Sequence, residues 1–485
     1  MVDMFKRIIN RYVGVIILSV IFVACSPTLV SKKTDTTTPS SYNYAQGITS
    51  VPDSTNTAKV SWRDYFTDPN LVALVDIALK NNQELNITLQ EIEIARNEVR
   101  ARKGEYLPFV DINAGAEVEK VGRYTSKGAS EAINEIEPGT KTPEPLQNYQ
   151  IGVFARWEVD IWNKLHNAKK AAVARYLSTI EGRNFMVTQL VAEIANSYYE
   201  LMALDNQLDI VKQNIDIQTN AFEMVKAQKE AAKVTELAVR RFQAQVLNTR
   251  SLQYNIRQQI IETENHLNFL VGRYPQTIQR NSSVFNTLIP DTIRAGIPSQ
   301  LLANRPDIKQ AEFNMTAAKL DVSVAKARFY PSFGISAGLG FQAFNPSYLL
   351  KTPESLLYSM AGDLVAPLVN RNAIKAAYYS ANAGQIQAIY NYERTILNAY
   401  VEVANQMAKI SNLKSSYDLK EQEVQALNQS VTISNDLFIS ARADYMEVLL
   451  TQRDALDSKF ELIETKMQQM HAWVNIYQAL GGGWN

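Results

Sequence analysis

The sequence predicts a membrane protein of mixed α and β structure, internally duplicated, in which four β-strands per protomer complete a trimeric, twelve-stranded barrel and long helices pack as a rod of coiled coil. Three observations predict it. The chain opens with an export signal yet carries no spanning helix. Its two halves share one plan. Within each half the apolar period changes from heptad spacing to strict alternation and back.

The N-terminus places Lys6, Arg7 and Arg11 before an apolar run from Tyr12 to Ala24, too short to span a bilayer and in the charge order of a secretory signal. That run ends at Val23-Ala24-Cys25-Ser26, and Cys25 is the only cysteine, so no disulfide can form within the chain. A lone cysteine after a small residue at the end of a signal resembles a bacterial lipobox, with Phe22 where Leu is usual. Residues 1–24 are therefore read as signal peptide, Cys25 as the lipidation site and 25–60 as a tether. The tether is rich in Ser, Thr, Pro and Asn and cannot offset its own ordering entropy unless it lies on other parts of the protein. Acyl chains contribute roughly 0.8 kcal/mol per buried methylene, enough to hold the chain to a leaflet.

Lys plus Arg (49) equals Asp plus Glu (49), which leaves no basic field to hold nucleic acid. Only 19 Gly and 16 Pro serve the turns of 485 residues, so long elements are implied.

The duplication is seen in four anchors occurring in the same order. Arg102–Gly115 (RKGEYLPFVDINAG) matches Ala325–Gly338 (AKARFYPSFGISAG). Asn167–Ala172 matches Asn372–Ala377, Val191–Asn196 matches the stretch ending Glu402–Asn405, and Leu270-Val271-Gly272 matches Leu480-Gly481-Gly482. The first repeat is assigned 61–272, the linker 273–299 and the second repeat 300–482, each repeat carrying a helix, a β-hairpin and a long helical hairpin.

Leu204, Leu208, Val211, Ile215, Phe222 and Val225 keep three-four spacing, broken once at Gln218. Val403, Met407, Ile410, Leu413, Tyr417, Val424, Leu427, Val431 and Phe438 repeat the pattern, with breaks at Lys420 and Ser434. Each half thus predicts one long helix, 167–228 and 373–440, of roughly 90–100 Å. The shorter helices are expected over 71–103 and 237–270, then 306–328 and 446–480, stacked end to end beside the long ones.

Between short and long helix the period becomes two. Val110, Ile112, Ala114, Ala116 and Val118 alternate with Asp111, Asn113, Gly115, Glu117 and Glu119. Tyr149, Ile151, Val153, Ala155, Trp157 and Val159 alternate with Gln150, Gly152, Phe154, Arg156, Glu158 and Asp160. The second half supplies Phe333–Ala343 and a less regular strand over 356–368. Two hairpins could lay this apolar face on helices of a soluble domain; an export signal without a spanning helix favours a barrel wall, apolar side to lipid and polar side to a wet lumen. Four strands leave open edges, which hydrocarbon cannot satisfy, so closure comes from other copies. Two chains give a filled eight-strand barrel, and three leave a water path.

Enzymatic signals are weak, and no catalytic, cofactor or metal residue is assigned. Gly334–Gly338 fits G-x-S-x-G, but the chain continues as a strand where a helix is required. His166, His266 and His471 lack a partner at ligand spacing. Met467 and Met470 lie on a heptad seam and are read as core. Of Trp62, Trp157, Trp162 and Trp473, Trp157 alone is expected at a membrane boundary.

Ile297-Pro-Ser-Gln-Leu-Leu-Ala-Asn-Arg-Pro-Asp-Ile308, followed by Ala311-Glu312, resembles the segment opening the second half of the TolC family of outer-membrane efflux proteins, in particular the lipoprotein branch serving resistance-nodulation-division pumps. Trp62–Leu71, Ala78–Asn82 and Phe329–Ser332 support the resemblance, which extends from Trp62 to Gly482. It implies a homotrimer in the outer membrane of a Gram-negative bacterium, in which the helical rods join as a coiled-coil barrel, a tunnel through the periplasm. It further implies docking to a periplasmic adaptor and an inner-membrane transporter. By motif it makes Met446, Glu447 and Leu450 candidate gate residues at the second helix tip, with Glu236 in the matching place at the first. Leu450 stands where an acidic residue is common. Two alternatives stay open: the duct of a polypeptide secretion system, and a periplasmic coiled-coil scaffold without a pore.

Overall fold

The computed structural model describes residues 27–42, 56–289, 294–369, 371–440 and 442–484. Cys25 and the signal segment lie outside the described residues. The principal elements are helices α1 (Pro69–Asn81) and α2 (Gln83–Glu105), strands β1 (Phe109–Glu119) and β2 (Leu146–Val159), then α3 (Lys164–Glu230) and α4 (Glu236–Leu270). The second half supplies α5 (Pro306–Ala327), β3 (Ser332–Ala343), β4 (Leu356–Val365), α6 (Asn372–Ile439) and α7 (Tyr445–Ala479). The two long helices and the four strands fall where the periodicity places them.

One expectation is corrected. The helix expected over 71–103 is two helices, because Asn82 takes an extended conformation (φ −60°, ψ 125°) between α1 and α2. Its side chain accepts from the Leu85 N–H (2.9 Å) and donates to the Leu270 carbonyl (2.8 Å), so the end of α4 is fastened into the gap. The apolar spacing runs through a one-residue break without a slip, which is why periodicity conceals it.

The chain separates into two compact units. The first holds Glu93–Tyr176 and Phe313–Ile389, with tether residues up to Lys33. Its centre is an antiparallel sheet in the order β1-β2-β3-β4. Beside the sheet, Ala325, Phe329 and Tyr378 form a small core against which Leu29 of the tether packs.

The second unit holds Thr34–Ile92, Leu177–Glu312 and Tyr390–Asn485. Tyr65 is stacked on Trp473 and Tyr477 (ring centroids 4.2 and 4.0 Å), and its hydroxyl donates to the Trp473 carbonyl at 2.7 Å. The WRDYF segment is thereby held to the C-terminal helix, and Trp62 and Trp473 are core residues. The linker fastens helices by ions: Arg280 pairs with Asp205 and with Glu264, both at 2.6 Å. Further along, the Lys466 ammonium donates to the Leu288 carbonyl. The tether lies on α6 here too, with Tyr42 stacked on Tyr400 at 5.4 Å.

The heptad breaks are buried or paired polar positions. Gln218 is fully buried and accepts from the Thr249 hydroxyl at 2.7 Å. Ser434 is buried with its hydroxyl on the Val431 carbonyl, and Lys420 pairs with Glu423 and Glu461.

Candidate functional site

The sheet has the amphipathic register of a barrel wall. Across it, Ala114, Ile151, Phe341 and Leu356 align in one row, and Ile112, Val153, Leu339 and Tyr358 in another. A third row is Val110, Ala155, Ala337 and Met360. Because side chains alternate, the intervening positions put Asp111, Asn113 and Glu117 of β1, Gln150 and Arg156 of β2, and Ser336 and Gln342 of β3 on the other face. The apolar rows are not covered by helices: Ile112 is 77% exposed, Leu339 60% and Met360 82%. This excludes the soluble-domain arrangement, in which that face would be core. Among the described residues the outer strands β1 and β4 each pair on one side only, leaving two open edges.

The polar face also accommodates one large ring. Phe154 lies over Gly338, where a Cβ would approach its ring to 2.8 Å. Glycines at 152, 338 and 340 thus make room for Phe154 and for close backbone approach between β2 and β3. Ser336 of the G-x-S-x-G run sits mid-strand, paired with Arg156 and Ala361, with no turn to expose it as a nucleophile.

At the start of the helices Trp157 donates to the Tyr106 carbonyl (3.0 Å). Trp162, not expected there, donates to the Pro331 carbonyl (2.7 Å) and stacks on Tyr330 (4.7 Å), while about half its surface stays exposed. Two half-exposed indoles at one end of the strands match an interfacial aromatic girdle. Trp162 was missed because it follows the last alternating residue.

The helix tips converge on a second cluster. Val225, Ala238, Val239, Phe242 and Val448 are buried together, with Phe438, Tyr445 and Leu449 against them. Beside this core is a cavity of about 330 Å³ lined by Val225, Phe242, Phe438 and Gln452. Both long helices end in the same hydrogen-bonded closure, Lys233 N–H to Gln228 O (2.9 Å) and Arg442 N–H to Leu437 O (2.8 Å). At the first tip the left-handed position is taken by Ala232 (φ 56°), where glycine is usual.

The four candidate gate residues share this region but differ in circumstance. Glu236 is held by Lys229 (2.9 Å) and Arg240 (2.8 Å), and the Lys229 hydrogen bond in particular keeps its carboxyl below the usual range. Met446 is half-buried, with its sulfur accepting from Arg241 at 2.6 Å. Glu447 is exposed and, among the described residues, has no ion pair; Leu450 is exposed one turn on. The motif match between Glu236 and Glu447 therefore conceals a difference: one carboxylate is neutralised by neighbours and the other is open.

Comparison with known proteins agrees with this geometry. The family model described as "Outer membrane efflux protein" matches residues 74–273 and 297–482, well over half of the chain. The chain is 26% identical over 462 residues to the pyoverdine export outer membrane protein OpmQ of Pseudomonas aeruginosa, covering 95% of this chain and 94% of that one. It is 25% identical to the probable outer membrane lipoprotein SilC of Salmonella typhimurium, covering 87% and 88%. Its fold superposes on the open-state crystal structure of the Neisseria gonorrhoeae MtrE outer membrane channel with a TM-score of 0.81 at 20% identity, covering 95% of this chain and 99% of that one.

Proposed function

Because the chain belongs to the family of outer membrane efflux proteins, we propose that it works as one of three copies of a lipid-anchored exit duct, opened at its helix tips by a periplasmic adaptor and an inner-membrane transporter. It is an outer-membrane efflux channel and not an enzyme. The observation that carries the trimer is the four-stranded sheet with an uncovered apolar face and two open edges. In hydrocarbon each unpaired backbone group costs several kcal/mol, so β1 of one copy must meet β4 of the next. Twelve strands then enclose a lumen lined by the polar face.

Acylation at Cys25 fits the tether. Leu29 is seated against Phe329 and Tyr378, next to the start of β3. That seat is joined to the strand ends that the two indoles mark, and four residues of chain, at most about 14 Å, separate it in sequence from Cys25.

The gate reading rests on Glu447. Three open carboxylates around an axis repel one another and attract cations, while the Leu450 side chains narrow the same aperture. Opening is a shear of the helix pairs, for which the cavity beside Val225 and Phe438 leaves room. The cargo class follows the relatives, which are named for pyoverdine export and for solvent, toluene and cation efflux. Small solutes are therefore favoured over polypeptides.

The test is single-channel conductance in planar bilayers. Glu447→Ala with Met446→Ala should raise conductance over the parent. Unchanged conductance would remove both residues from the gate, and a parent that forms no channels, even with both tips altered, would return the protein to the scaffold reading.

A further inference from the structure

β1 follows α2 and β2 leads into α3, so the loops 120–145 and 344–355 lie at the opposite ends of the strands. The first loop is long and has structure of its own, a helix at Ser126–Glu131 and a small hairpin pairing Glu135–Glu137 with Thr140–Lys141. Its base is anchored by Lys127 to Glu119 and Arg123 to Glu144, both at 2.7 Å. Its tip does not stand clear of the sheet. Tyr348 of the second loop donates to the Glu137 carboxylate at 3.0 Å. The Tyr348 ring is itself fixed by Phe344 edge-on (5.5 Å) and by the Lys351 ammonium over its face (5.3 Å). The two loops and the strand ends line a cavity of about 720 Å³, which Glu117, Asn148 and Gln342 of the polar face share with Ile136 and Glu137 of the first loop.

A loop that only joined two strands would not need to be fastened to the loop of the neighbouring hairpin. This one is pinned at its base, shares a cavity with polar-face residues at the strand ends and is held at its tip by a charge-assisted hydrogen bond, the construction of a hinged flap. The Glu137 carboxylate also pushes the Tyr348 phenol upward, so the donor proton stays in place. We propose that loop 120–145 is a flap narrowing the cell-surface end of the duct, latched by Tyr348 to Glu137. This rests on the reading that the polar face lines the lumen. Three flaps around the axis make a second constriction, distinct from the helix tips.

Whole cells producing the full chain carry Gln150→Cys on the polar face or Val153→Cys on the apolar face. They are treated from outside with a small cationic thiol reagent or a maleimide on a long polyethylene glycol chain, against the background of the parent's single cysteine. The expected result is ready labelling of Gln150→Cys by the small reagent and slow labelling by the bulky one. Adding Tyr348→Phe should speed the bulky reagent alone by about three- to tenfold, the scale of one partly exposed hydrogen bond. Glu137→Ala should match it, and Glu137→Gln, which keeps a neutral acceptor, should restore part of the difference. Equal bulky-reagent rates in all of these backgrounds would overturn the flap and leave the lumen intact. Labelling of Val153→Cys but not Gln150→Cys by the small reagent would overturn the lumen reading, and the flap with it.

Discussion

Both repeats place one extended residue at the same joint before a helix, and they secure it with different chemistry. In the first, Asn82 sits between α1 and α2 and donates to the Leu270 carbonyl at 2.8 Å. In the second, Arg305 sits before α5 in the same extended conformation (φ −85°, ψ 118°) and donates to the Ala479 carbonyl at 2.9 Å. The guanidinium also binds Asp307 in two contacts (2.7 and 3.0 Å) and Glu402 at 2.6 Å. One side chain thus ties the start of α5 and the end of α7 to α6, where the amide ties only two segments. The glycines correspond as well, with the sequence match of Gly272 to Gly482 corrected by one residue to Gly481, because the left-handed position follows the helix end. A Cβ at Gly272 would lie 2.4 Å from the Asn81 carbonyl oxygen, and one at Gly481 2.7 Å from that of Asn304. Duplication has kept the backbone solution while the polar partner diverged, and the Arg-Pro-Asp run is a structural joint more than a chemical site.

That difference is open to test. Arg305→Met leaves Asp307 and the Ala479 carbonyl without their cation in a largely buried place, and should cost about 3–5 kcal/mol. Asn82→Ala removes a cap and one carbonyl contact, and should cost about 1–2 kcal/mol. Thermal midpoints of the purified protein in detergent, followed at the helical circular-dichroism band, rank the two, and equal losses would contradict the contrast. The glycine substitutions should instead agree with each other. Gly272→Ala and Gly481→Ala each force a side chain into a left-handed position (φ 75° and 92°) against a carbonyl, at about 1–3 kcal/mol. A large loss at one and none at the other would mean that the joints are not equivalent.

The smallest effect concerns the tips, which differ in the same sense. Glu236 has its pKa depressed by Lys229 and Arg240, so its contribution is present above the ordinary carboxylate range and disappears as pH falls through the depressed value, below 4.5. Acidification should loosen the first tip in that range, read as faster hydrogen exchange of the backbone around Ala232. Because these side chains are half exposed, high salt should mimic the effect.

Much of this was legible beforehand. Alternation in Val110–Val118 and Tyr149–Val159 foretold which face is apolar, since a pleated strand can only put every second residue on one side. The heptad seams foretold α3 and α6 to within a few residues. What stayed hidden depends on contacts distant in sequence. Nothing local to Arg280 announces Asp205 and Glu264, and nothing in loop 120–145 announces Tyr348. Likewise the motif match of Glu236 with Glu447 says nothing of which one has cations beside it.

The mass of the particle released from membranes by mild detergent, measured by native mass spectrometry, bears most directly on the whole account. Three chains per particle is the result that closing the open edges of β1 and β4 into a twelve-stranded wall requires. A particle of one chain, its apolar rows shielded only by detergent, would contradict it.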